Sequence, residues 1–128
     1  MARHPTATRA FLFASALVWL PYGLFCLWQP EYLHDAAGVA IASTTGRIEL
    51  RAMYGGLQAA IGCLALAGVV RNTVTSSALT ALAFLCGGLF LARVTGSALD
   101  GEVSAYTAAG LLFESASALG AIYLQARR

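Results

Sequence analysis

The chain reads as an all-α integral membrane protein, a four-helix up-down bundle filling residues 1–128 as one transmembrane domain. Three observations predict this. Residues of the AVILMFWYC group make up 59% of the 128 residues, against 11% charged, whereas a soluble domain carries about 25% charge to cover its wet surface. The mean hydropathy is +0.70. Four stretches approach or exceed the roughly 20 mostly apolar residues that a helix needs to cross the hydrocarbon. A closed β-barrel is the other spanning solution, but strict alternation is absent and the runs are too long for strands.

The first span covers about residues 10–28 and stops before Pro30. It exceeds a typical signal-peptide core and further apolar segments follow it, so it is expected to be retained. The second covers about residues 47–70, polar in its opening turns (Arg47, Glu49, Arg51) and apolar from Met53 to Val70. The third covers about residues 76–99, interrupted by Arg93, and the fourth about residues 103–126, interrupted by Glu114. Between the first two, residues 29–46 hold Pro30, Gly38 and the cap-like Ser43-Thr44-Thr45, with room for a short interfacial helix. The other links, at Arg71-Asn72-Thr73 and Asp100-Gly101-Glu102, are tight turns. Short links join antiparallel neighbours.

Charge sorts by side. If four helices alternate, Arg3, Arg9, Arg71, Arg127 and Arg128 share one side, and Glu31, Asp35, Asp100 and Glu102 share the other, with Arg47 as the main basic exception. Arginine-rich segments stay in the cytoplasm. Both termini are therefore expected to be cytoplasmic, in a multi-pass protein of the cell (inner or plasma) membrane. Tyr22, Trp28 and Tyr32 suit an aromatic belt at the outer interface, and Tyr123 the inner one.

Five of the charged or polar positions fall within the outer half of the membrane. At about 1.5 Å rise per residue, Arg51 lies roughly 6 Å in, Tyr54 roughly 10 Å, Gln58 roughly 17 Å and Glu114 roughly 16 Å. Arg93 lies roughly 9 Å below the outer end of the third helix. Arg51, Tyr54 and Gln58 repeat at the i, i+3, i+7 spacing of one helical stripe, as do Arg93, Gly96 and Asp100. A charge facing lipid costs about 2.5–3.5 kcal/mol at the helix centre. The stripes are thus expected to turn inward and form one cluster of Arg51, Arg93, Glu114, Tyr54 and Gln58, with Asp100 and Glu49 at its mouth. Glu114 would pair with Arg51 or Arg93, and the surplus positive charge would favour an anionic or polar headgroup. A purely architectural role, fixing helix register, is the competing reading.

Small residues form two ladders at i+4 spacing, Gly55-Ala59-Cys63-Ala67 and Gly88-Ala92-Gly96, which suit close helix packing. Cys26, Cys63 and Cys86 sit in apolar runs without paired spacing and read as small apolar residues. His4 and His34 read as solvated. No metal site or cofactor motif is expected, and the net charge of +2 gives no ground for nucleic acid as a partner. The expected partners are the bilayer, a lipid or small amphipathic ligand, and a second copy or another membrane protein.

The segment Arg51-Ala52-Met53-Tyr54-Gly55-Gly56-Leu57-Gln58, with Gly62, resembles the signature of a family of small bacterial four-helix membrane proteins catalogued as a domain of unknown function. Ala92-Arg93-Val94-Thr95-Gly96 followed by Asp100-Gly101 resembles its second motif, and Glu114 falls at its acidic position. The resemblance covers most of the chain and implies fold and membrane location without an activity.

Three functions compete. The first is a binding or accessory protein that holds an amphipathic ligand. The second is a membrane-embedded isomerase or cyclase, with Glu114 as general acid assisted by Tyr54 as the candidate catalytic pair. The third is a small proton-coupled transporter.

Overall fold

The computed structural model describes residues 5–128; Arg3 and His4 lie outside the described residues. Five helices follow in order: α1 (Pro5–Trp28), α2 (Tyr32–Ala37), α3 (Thr44–Val70), α4 (Asn72–Asp100) and α5 (Ala105–Ala126). All but α2 are long and apolar enough to cross a membrane. The molecule is an all-α four-helix bundle of membrane-spanning type, with the short α2 packed near the α4–α5 turn.

Each span extends beyond or stops short of its apolar run for a local reason. The Ser43 side chain accepts from the Gly46 amide at 3.0 Å, so α3 starts at Thr44 rather than at Arg47. Ser104 does the same for Thr107 at 3.1 Å, which moves the start of α5 from residue 103 to Ala105. Such side-chain acceptors satisfy amides that have no partner within the helix. α1 and α4 begin earlier than expected, taking polar turns into their ends; Arg71 alone separates α3 from α4. Gly38 and Gly101 adopt positive φ (68° and 71°) just after α2 and α4, the left-handed conformation that ends a helix without steric cost.

Helix α3 is not uniform. Residues Arg51–Gly56 form a π-helical turn, in which bonding runs i→i+5 instead of i→i+4 and one extra residue is accommodated. This segment and the rest of α3 lie against α1 at backbone contact. A Cβ on Gly23 would sit 2.3 Å from Ala59 N, one on Gly55 2.7 Å from Leu27 Cα, and one on Gly62 2.5 Å from Leu20 N. The α3 face is therefore Gly55, Ala59 and Gly62. The expected ladder holds at its first two members and then leaves the interface, because the helical contact stripe steps by four and then three; Cys63 is exposed. The second ladder is corrected outright. Cβ atoms on Gly88 and Gly96 would meet nothing within 4 Å, so that stripe packs against no neighbour within the bundle.

The remaining packing is tight between α4 and α5, while α1 and α5 stand further apart. Large side chains fill that gap. The Trp19 and Phe113 rings lie 5.6 Å apart, and Phe11 reaches Gly120. At the end opposite α2, Arg9 Nε donates to Val69 O at 3.1 Å and Gln125 Nε2 donates to Ser76 Oγ at 2.7 Å. The start of α1, the α3–α4 turn and the end of α5 therefore share one end of the bundle.

Candidate functional site

Two intramembrane charges expected to meet do so. Arg93 of α4 grips Glu114 of α5 through Nη2 to Oε1 at 2.6 Å and Nε to Oε2 at 3.0 Å. This two-pronged geometry is the strong form of a carboxylate–guanidinium contact. The Glu114 side chain is 4% exposed and that of Arg93 26%. Gly110, one turn before Glu114, makes room for the grip: a Cβ there would sit 2.8 Å from Arg93 Nε.

Two tyrosines extend the polar column. The Arg93 guanidinium carbon lies 5.9 Å from the Tyr106 ring centroid, and the Tyr106 hydroxyl shares a 2.9 Å hydrogen bond with that of Tyr22. Tyr22 thus reaches α5 from α1 through its half-buried hydroxyl, while its ring meets that of Tyr32 edge-on at 6.3 Å. Trp28 is exposed at the end of α1 and Tyr123 near the end of α5, the latter beneath Arg127 at 4.4 Å.

The cluster is otherwise smaller than expected. Arg51 contacts neither Glu114 nor Asp100: its Nε donates to Leu27 O at 3.1 Å. Leu27 is in the last turn of α1, where carbonyls lack intrahelical partners and a cation is favoured by the helix dipole. Arg51 is therefore a cap on α1. The π-helical turn is why a straight α-helical stripe misplaces it, since widening between residues 51 and 56 rotates Arg51 away from the face of Tyr54. Tyr54 is half-buried and forms no hydrogen bond with this group. Gln58 is half-buried one turn deeper and forms no hydrogen bond with this group. Glu49 is exposed on α3, outside the mouth. The surplus positive charge expected from two arginines around one glutamate is thereby removed: the site holds one guanidinium and one carboxylate.

Tyr106 and Gly110 were not among the expected site residues. Their signal is plain once Glu114 is fixed, because Tyr106, Gly110 and Glu114 repeat at i+4 and share a face of α5.

Above the ion pair a cavity of about 540 Å³ opens at the end of the bundle that holds the α4–α5 turn. Its walls are the last turns of α4 (Arg93, Ser97, Asp100), the turn and first residues of α5 (Glu102, Thr107) and the end of α2 (Ala36–Gly38). Asp100 stands seven residues beyond Arg93, a climb of about 10 Å, so the cavity descends from a carboxylate rim to a guanidinium floor. A volume of this size falls within the range of small-molecule sites.

Fold and site together define a small multi-pass membrane protein with an intramembrane arginine–glutamate pair beneath an outward-opening cavity. A family model described as a domain of unknown function, DUF4345, matches residues 7–125, and the chain belongs to that family. No curated protein and no solved structure matches the chain.

Proposed function

We propose that the protein binds an amphipathic, lipid-like ligand, its polar head in the outer cavity and its apolar part in the bilayer. One observation carries this reading: Arg93, whose guanidinium holds the buried Glu114, also lines an open cavity, instead of being sealed with its partner between packed helices. Arg93, Tyr54, Asp100 and Glu114 are the residues assigned to ligand binding or its support. Arg51 and Gln58 are assigned to the bundle itself. The acid–base and proton-transport readings both require Glu114 to exchange a proton, and both its oxygens are engaged by one guanidinium, which favours binding over either.

The same reading includes orientation. The cavity end is proposed to face outward from the cell membrane, with both chain ends in the cytoplasm, because the arginines at the opposite end are the ones retained there. Arg47, the exception, is matched by Glu31 at 3.0 Å and counts little as a free cation.

Gentle purification followed by native mass spectrometry tests the binding proposal. Wild-type protein should retain an amphiphile in stoichiometric amount. Ser97→Trp, which fills the cavity, should lose it, while Leu112→Trp on the exposed face of α5 should keep it. A wild-type protein free of any retained amphiphile would overturn the reading.

A further inference from the structure

We infer that the head this cavity takes is zwitterionic, a primary ammonium beside a phosphate, carried on a membrane lipid. The inference rests on the binding reading above and adds its charge. Arg93 is neutralised by Glu114, so the floor offers no net positive charge. It still offers hydrogen-bond donors: Glu114 occupies Nε and Nη2, and Nη1 makes no hydrogen bond among the described residues. Ser97 and Thr107 line the walls beside it, the Thr107 hydroxyl sharing a 3.0 Å hydrogen bond with that of Ser104. Together these can donate to a phosphate without demanding a full counter-charge.

The rim is different. Asp100 and Glu102 line it, both are exposed, and neither forms a salt bridge among the described residues. A purely anionic head would meet this pair of carboxylates with Arg51 absent from the site. A purely cationic head would leave the donors of the floor unused. A head with its phosphate low and its ammonium high matches both levels. This is also the order in which an aminophospholipid presents them, phosphate nearer the acyl chains and ammonium nearer water. Gly96 also lines the cavity, and because a Cβ there would meet nothing within 4 Å, the α4 wall leaves room at this level for the head of a lipid. A primary amine also matches the carboxylates better than a quaternary one, because its N–H groups donate to oxygens that accept only.

The test is a titration of the delipidated full-length protein, read by native mass spectrometry, with four probes: phosphatidylethanolamine, phosphatidylglycerol, phosphatidylcholine and free phosphoethanolamine. Phosphatidylethanolamine should bind about tenfold more tightly than the other two lipids, a difference of about 1.4 kcal/mol. Asp100→Asn with Glu102→Gln should weaken phosphatidylethanolamine binding to the level of phosphatidylcholine, and the fold should survive because both side chains are exposed and unpartnered. Equal or tighter binding of phosphatidylglycerol or phosphatidylcholine would overturn the assignment of the ammonium to the rim. Free phosphoethanolamine binding as tightly as the lipid would overturn the lipid as its source. Binding of none of the four would overturn this inference; the cavity-filling Ser97→Trp comparison then decides separately whether the broader reading stands.

Discussion

At the scale of single residues, the Arg93–Glu114 contact decides both stability and chemistry, and the two roles can be separated. Removing one partner of a buried ion pair leaves an uncompensated charge and costs about 3–5 kcal/mol, whereas replacing both by apolar groups is often neutral. Glu114→Leu alone should therefore lower the yield of folded protein sharply, and Glu114→Leu with Arg93→Met should recover most of it, as measured by monodispersity in detergent. The recovered double variant should no longer retain lipid. A double variant that binds as the wild type does would show the pair to be architecture alone. A charge exchange identifies the partner independently. Glu114→Arg should be rescued by Arg93→Glu and not by Arg51→Glu, because Arg51 is engaged at the end of α1. Rescue by Arg51→Glu would contradict the pairing.

At the scale of elements, glycines sort into two kinds that the sequence alone does not distinguish. Gly23, Gly55 and Gly62 hold α1 and α3 at backbone contact, and an added methyl there has no flexible side chain to displace. Gly62→Ala and Gly23→Ala should each cost about 1–3 kcal/mol, the range for overpacked sites. Gly88→Ala, facing open space, should be neutral or slightly stabilising, since glycine is the weaker helix former. Thermal unfolding of the three variants side by side checks this, and a stability loss at Gly88 matching that at Gly62 would mean that α4 packs on something this face does not reveal. The four spans, the short turns and the pairing of Glu114 with an arginine are legible because each follows from a count, of apolar length or of depth at a fixed rise; the choice of Arg93 over Arg51 is not. Arg51 is not legible, because its position depends on the π-helical turn that begins at it, and nothing in Arg-Ala-Met-Tyr-Gly-Gly announces i→i+5 bonding to a reading built on a 3.6-residue period. The failure of the second glycine ladder has the same root. A period says which residues share a face but not which faces find partners.

At the scale of the whole molecule, the sorting of charge by end is a stronger constraint than any single span. Arg9, Arg71, Arg127 and Arg128 gather at one end, with no acidic side chain there among the described residues. Glu31, Asp35, Glu49, Asp100 and Glu102 gather at the other, where Arg47 is paired and Arg51 is bound to a carbonyl. An odd number of crossings would place Arg9 opposite Arg127 and dissolve the asymmetry, so the helix count and the orientation stand or fall together. The 29 residues of α4 reach about 43 Å at the helical rise, longer than the roughly 30 Å hydrocarbon core. The excess is taken up by tilt or by projection; both ends of α4 are polar, residues 72–77 at one and 97–100 at the other, and the Asp100 end borders the cavity. Reporters active only in the cytoplasm should be active when fused after Arg128 or inserted at Asn72, and silent when inserted at Ala40 or Gly101. Cysteines placed at Ala40 and Glu102 should react with an impermeant thiol reagent in intact cells, and one at Thr73 should react only after lysis. The reverse pattern would invert the molecule and turn the cavity toward the cytoplasm. A mixed pattern would break the four-crossing bundle, and with it the common end that brings Asp100, Arg93 and Glu114 into one descent.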